Sequence, residues 1–253
     1  MGKNTDIRIK TPEELLILRE GGRILADIFE EIKNSVKVGM TTGEVDQVAD
    51  SLIKRNNVVA AFKGYRGFPA CACISVNEEV IHGIPGKRVL KDGDIVGVDI
   101  GIIFQNYYSD MAVTLAVGIL EPNRQKLLDV TRQALLHGIA KARAGNRLSD
   151  ISFAIQSYVE SKGFSVVRDF VGHGIGRKLH EDPEIPNYGS PNHGPLLKTG
   201  MVFAIEPMVN MGLARTKVLS DGWTAITADK KPSAHFEHSV AITESGPLIL
   251  TVK

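Results

Sequence analysis

Residues 90–114, LKDGDIVGVDIGIIFQNYYSDMAVT, constrain this chain more than any other stretch. Two apolar runs, residues 94–103 and 107–117, flank a short polar connection, and β-branched residues dominate both. That is the pattern of a buried β-hairpin. Two carboxylates, Asp99 and Asp110, interrupt it. With an even loop centred on Phe104-Gln105, they stand directly opposite each other on one face, Cβ atoms roughly 5 Å apart. Like charges so placed call for a shared proton, a basic partner or a metal ion. An edge hairpin with both carboxylates in solvent is the plain alternative.

The device recurs. At a shift of 107, residues 90–99 lie over residues 197–206, with Leu, Lys and Gly repeated and Asp99 on Glu206. Ser109-Asp110-Met111-Ala112-Val113 resembles Phe236-Glu237-His238-Ser239-Val240, after an insertion of about twenty residues that contains Trp223. At a shift of 106, residues 38–45 parallel residues 144–151. Internal self-similarity points to duplication. One domain over residues 1–253 is expected, with halves at roughly 11–118 and 119–253. Four carboxylates converging on one sheet face require cations, which favours a metal site.

A chain of 253 residues buries a full core. Its net charge of +1 offers nucleic acid or membrane no bulk attraction. The polar N-terminus MGKNTDIRIKTPEE is no signal peptide, Asp6 breaks the myristoylation pattern, and no run reaches the ~20 apolar residues of a membrane span. Cys71 and Cys73 alone build neither a disulfide framework nor a zinc finger, so a reduced, cytoplasmic enzyme is expected.

Thr11-Pro12-Glu13-Glu14 starts a helix that should reach about Val36, and Thr41-x-x-Glu44 starts another reaching about Arg55. A Gly- and aromatic-rich loop follows over residues 62–69, then a strand at 71–76 and a loop with His82 at 77–85. After the hairpin come helices from Glu121-Pro122 to about Arg143 and from Ser149 to Ser161. Residues 165–171 read as a strand ending in a Gly/His-rich loop at 172–176, and a Pro-rich stretch covers 182–195. His173, between glycines and beside four carboxylates, is a candidate ligand for Mn, Fe, Co or Zn. One imidazole and four carboxylates suit two divalent ions ~3.5–4 Å apart, holding a bridging hydroxide and polarising a carbonyl. That is hydrolytic chemistry.

Taken together and in order, six segments resemble type I methionine aminopeptidases of the short bacterial kind. They are GYRGFP (64–69), NEEVIHGIP (77–85), DGDIVGVDIG with YYSD, GHGIGRKLHEDP (172–183), MVFAIEPM (201–208) and SAHFEHSVAIT (233–243). The resemblance implies an α+β pita-bread fold, a pseudo-two-fold antiparallel sheet covered by helices. It implies removal of N-terminal methionine ahead of a small second residue, by attack of a two-metal bridging hydroxide on the scissile carbonyl. Asp99, Asp110, His173, Glu206 and Glu237 match the ligands of the two divalent ions, Asp110 and Glu237 bridging. His82 matches the contact to the scissile nitrogen, His180 the hydrogen bond to the substrate carbonyl, and Glu206 also the proton relay to the leaving amine. Tyr65, Phe68, Cys73 and Trp223 match the lining of an apolar pocket suited to a thioether. His137, His193, His235 and His238 are left as structural or surface residues.

The chain departs from the family at Leu179, where an aromatic is expected, and at Phe68, where Tyr is common. Core packing and pocket lining are equal readings of both. The substrates implied are nascent polypeptide N-termini, with transient ribosome association, a monomeric state, and neither specific nucleic acid nor membrane as partner. Rival readings are an Xaa-Pro aminopeptidase or prolidase of the same fold, disfavoured by the HGIP and GYRGFP loops, and a non-catalytic pita-bread binding protein, disfavoured by five intact ligands.

Overall fold

The computed structural model describes residues 7–253; the polar first residues, MGKNTD, lie outside the described residues. Helix α1 (Pro12–Ser35) begins as its sequence predicts, with a reciprocal capping box between Thr11 and Glu14. Thr41 and Glu44 do the same for α2 (Thr42–Arg55). Two further helices follow, α3 (Pro122–Ile139) and α4 (Leu148–Ser161). The α3 helix stops short of the expected Arg143 because Lys141 and Ala142 donate to Gly138 and Ile139, an i→i+3 closing turn.

Nine strands form the main sheet among the described residues, and every pairing in it is antiparallel. Its centre is the hairpin of Ile95–Phe104 and Tyr107–Ala116, which continues through Glu237–Thr243 and Val202–Ile205 to Val171–Gly174 and Glu181–Pro186. Alternation sorts the hairpin's two faces. Val96, Val98, Ile100, Ile102, Met111 and Leu115 pack with Leu25, Ile28, Ile32 and Ile53 of α1 and α2. Phe203, Ile205, Val240 and Ile242 likewise pack with Leu127 and Leu135 of α3 and Ile151 and Ile155 of α4. Each side chain buried in this way stabilises by about 1.5–3 kcal/mol. The helices thus cover one sheet face, leaving the other for Asp99, Asp110 and Glu237.

The hairpin register corrects the expectation. Phe104 pairs with Tyr107, so the turn is Gln105-Asn106, both with left-handed φ of 48° and 64°. That is the two-residue turn whose twist matches the flanking strands, and Asn tolerates it. Asp99 is therefore opposite Ala112, and Asp110 opposite Gly101. The two carboxylates share a face but stand diagonally, not directly across. A side chain at Gly101 would collide with Phe62, its Cβ only 2.6 Å from the ring.

Two further differences matter to the site. The strand expected over 165–171 is split into Ser165–Val166 and Val171–Gly174, so His173 is on a strand, not in a loop. Between the pieces the chain bends outward, where Asp169 accepts hydrogen bonds from the backbone and hydroxyl of Thr216. Part of the Pro-rich stretch is itself a strand, Glu181–Pro186, paired to Val171–Gly174. No helix among the described residues is long and apolar enough to cross a membrane.

Candidate metal centre

Register places the ligands. Cys73 pairs with Asp99, Asp99 with Ala112, and Ala112 with Glu237, so one row crosses four strands with its side chains on one face. The small Ala112 leaves space between the carboxylates of Asp99 and Glu237. Asp110 lies two residues along from Ala112 on that same face. His173 pairs with Ala204 and Ala204 with Ser239, which is two residues from Glu237 and so shares its face. Glu206 follows the Val202–Ile205 strand, and the pairing of His238 with Ile205, continued by one residue, sets it beside Glu237. Five ligand candidates from five chain segments meet at one wall of one cavity.

Ligand atoms of Asp110, His173 and Glu237 lie within 4.8 Å of one another. His173 Nε2 is 3.5 Å from Glu206 Oε1 and 4.0 Å from Asp110 Oδ2. Its Nδ1 is 2.9 Å from the Gly174 carbonyl, which only accepts, so Nδ1 carries the proton of the neutral ring. A bare Nε2 lone pair therefore faces carboxylate oxygens. Burial pushes His173 down to about 3, helped by His180 and opposed by the Gly174 bond, so the ring does not protonate near neutrality. Asp99, Glu206 and Glu237 are driven well above the usual carboxylate range, first by burial and then by one another and Asp110. Burial raises Asp110 too, against the Met111 N–H it accepts. Asp99 Oδ1 and Glu237 Oε1 are buried with no hydrogen-bond partner. Four carboxylates, an inward imidazole lone pair and orphaned oxygens make a donor set that fits divalent cations.

Above this wall is an apolar cavity of about 260 Å³. Phe68 and Leu179, each 3% exposed, both line it, and Phe68 meets Trp223 edge-on with centroids 5.1 Å apart. Cys73, which lines it as well, is fully buried, and its thiol is pushed well up by burial and by Asp99. His82 and His180 flank the cavity. His82 is held at φ 58°, a region costly for a side chain. Its neighbour Gly83 supplies the restraint, its carbonyl accepting from Ile74 N–H and its N–H donating to Ser75 Oγ. Burial lowers His82 to about 4, so it stays neutral. His180 stands at the mouth, its ring 4.3 Å from that of His173, while Tyr65 Oη is 2.9 Å from its Nδ1.

One residue at this centre was not anticipated. His235 is 4% exposed, its Nε2 is 3.7 Å from Glu206 Oε2, and that nitrogen has no hydrogen-bond partner. It is no surface histidine. His238 bonds Thr251 Oγ1, His137 stacks on Tyr158, and His193 bonds the Pro191 carbonyl, all away from the cavity.

The model of metallopeptidase family M24 matches residues 17–244. The chain belongs to metallopeptidase family M24. Within M24, it is 56% identical over 242 residues to methionine aminopeptidase 1 of Bacillus subtilis, covering 96% of this chain and 98% of that one. It is 53% identical to the methionine aminopeptidase of Clostridium perfringens, covering 97% and 99%. The crystal structure of methionine aminopeptidase from Thermotoga maritima superposes with a TM-score of 0.96 at 48% identity, covering 98% of this chain and 100% of that one. The prolidase of Pyrococcus furiosus gives a TM-score of 0.77 at 24% identity, with 97% of this chain and 65% of that one covered, a likeness of fold alone. The fold is thus the pita-bread fold of M24, α+β with a curled antiparallel sheet.

Proposed function

We propose that this M24 enzyme removes N-terminal methionine from peptides and nascent polypeptides, preferring a small second residue. The observation that carries the reading is an apolar cavity of about 260 Å³ with buried carboxylates at one wall and the imidazoles of His82 and His180 at its side. Asp99, Asp110, His173, Glu206 and Glu237 would hold two divalent ions, drawn from Co, Mn, Fe or Zn. Such ions supply Lewis acidity and a water acidic enough to serve as nucleophile near neutral pH.

The chain's own residues do the rest. Phe68, Leu179, Cys73 and Trp223 enclose an unbranched thioether side chain and exclude water from it. His82, kept neutral by burial, and His180, whose proton affinity is lowered by partial desolvation and by the nearby Arg66, each offer one N–H, to the scissile nitrogen and to the carbonyl oxygen respectively. Glu206 stands between His173 and His235 and carries a proton to the leaving amine. Both cysteines are free and buried, which supports a reducing, cytoplasmic setting. We also read residues 1–253 as one catalytic domain with two related halves, a reading supported by the helix pairs α1/α2 and α3/α4 that precede the two carboxylate strand pairs.

The test is release of free methionine from a Met-Ala-Ser peptide by protein stripped with chelator and then restored with Mn or Co. An Ala-Pro peptide runs alongside. Metal-dependent cleavage of the methionyl peptide alone is the expected result; cleavage of the prolyl peptide instead overturns the substrate reading.

A further inference from the structure

We propose that the buried ion pair between Lys10 and Glu181 is a positioning device for His180, one that sets turnover without touching substrate or metal. The inference rests on the aminopeptidase reading above.

Lys10 lies just ahead of α1, and its backbone N–H donates to the Gly200 carbonyl at 2.8 Å. Its Nζ is 2.7 Å from Glu181 Oε2, and each side chain is only 5% exposed. The other oxygen, Glu181 Oε1, accepts the Lys178 backbone N–H at 3.1 Å. Both carboxylate oxygens are thus engaged from different directions, which fixes the orientation of residue 181 and hence of His180 beside it. Glu181 pairs with Gly174 in the last rung before the loop of a β-hairpin whose first arm carries His173 and whose loop ends at His180. Lys10 therefore grips from outside the hairpin that holds the two imidazoles 4.3 Å apart.

The backbone is shaped for this grip. A Cβ at Gly176 would lie 2.5 Å from Lys10 Cε and 2.9 Å from Glu181 Oε1, so a larger residue there would push the lysine stem and the carboxylate out of their present positions. A second tether runs in parallel: Glu14 Oε1 of α1 accepts from Tyr107 Oη at 2.6 Å and from Arg177 at 3.2 Å. Stability alone is a poor account of the first tether. Desolvation of a buried pair offsets most of its Coulombic gain, and apolar replacements of both partners are often neutral. Position is the better account, since misplacing a catalytic group by about 1 Å costs on the order of 100-fold in rate.

The experiment compares the metal-loaded full chain with Lys10→Met, Lys10→Arg and the double variant Lys10→Met/Glu181→Gln, which removes the stranded carboxylate. In both Met variants kcat for a methionyl peptide should fall about 10- to 100-fold, with KM and calorimetric Mn(II) affinity near wild type, while Lys10→Arg keeps most of the turnover. In zinc-loaded, 15N-histidine-labelled protein, the His180 imidazole resonances, assigned by a His180→Gln variant, should shift in the double variant while those of His173 stay. Wild-type kcat in the double variant overturns the proposal, because the defect of Lys10→Met would then come from an unpaired charge. Loss of metal affinity in step with kcat also overturns it, marking a general structural brace, as do unmoved His180 resonances. Wild-type methionine release is read first. Its absence defeats the aminopeptidase reading, and the nitrogen resonances then decide the positioning role alone.

Discussion

The phenol oxygen of Tyr65 lies 2.9 Å from Nδ1 of His180, and the two rings stack with centroids 5.4 Å apart. A neutral imidazole has one N–H, and a phenol hydroxyl that donates to Nδ1 leaves that N–H on Nε2. His180 is then ready to donate to a carbonyl oxygen. Tyr65 thus does more than line an apolar pocket. Tyr65→Phe keeps the ring and removes only the hydroxyl, so kcat should fall about tenfold, or about 1.4 kcal/mol in the barrier, with KM nearly unchanged. Steady-state kinetics on a methionyl peptide decides this, and wild-type turnover in Tyr65→Phe sinks it.

The buried carboxylates make the metal-free protein sensitive to pH. Asp99, Asp110, Glu206 and Glu237 all titrate higher folded than unfolded. Such groups contribute stability that is complete below their ordinary range and lost as pH rises through the folded values. His82, His173 and His235 are lowered to about 4, 3 and 3, so their contribution has the opposite sign and is gained as pH rises towards 6.5. The two trends oppose each other in acid. Above pH 6.5 only the carboxylates remain, so chelator-treated protein should lose thermal stability as pH rises from about 6.5 through the folded value of Asp110, about 7, and beyond. Bound divalent metal should flatten that slope. Melting curves of stripped and Mn-loaded protein across this range make the test, and parallel slopes would count against a cation in the carboxylate cluster.

Much of this was legible in the chain. Capping boxes are local patterns, and Thr11/Glu14 and Thr41/Glu44 start their helices as read. The carboxylates on apolar strands were legible too, since burying them demands compensation. Register was not, because it hangs on the turn: Gln105 and Asn106 both take positive φ, and reading the loop one residue early made Asp99 face Asp110. The glycines around His173 suggested a loop, yet Gly172 and Gly174 are strand glycines of close approach. A Cβ on Gly172 would lie 2.5 Å from the Ala204 carbonyl. His235 escaped because burial of a single histidine leaves no periodic trace. One signal existed: it stands two residues before Glu237, the spacing that returns a side chain to the same face.

The two departures at the pocket give a specificity test. Phe68 and Leu179 both line the cavity, and Phe68 packs edge-on against Trp223. Phe68→Ala removes a buried aromatic, which should cost about 3–5 kcal/mol of stability. It should also raise KM for methionyl peptides and narrow the preference over bulkier first residues. Leu179→Phe has the opposite effect on volume: it should slow release of large first residues more than of methionine. A panel of X-Ala-Ser peptides reads both. An unchanged ranking in the two variants would place these side chains in the core and outside the specificity pocket.

Glu206 gives the most direct test of the centre, because it is asked to do two things. Its Oε1 faces His173 Nε2 at 3.5 Å and its Oε2 faces His235 Nε2 at 3.7 Å. As a ligand it contributes charge; as a relay it takes up a proton and releases it. Its raised proton affinity, caused by burial and the neighbouring Asp110 and Asp99, suits the second role once cations offset part of that field. Glu206→Gln preserves volume and one carbonyl oxygen but removes the charge and the exchangeable proton. Turnover should fall by about 10²–10⁴-fold, and calorimetry should show one of the two ions bound more weakly. The two losses are separable by saturating with metal. If excess Mn restores wild-type turnover, Glu206 is a ligand only; if turnover stays low at full occupancy, the carboxylate itself moves the proton.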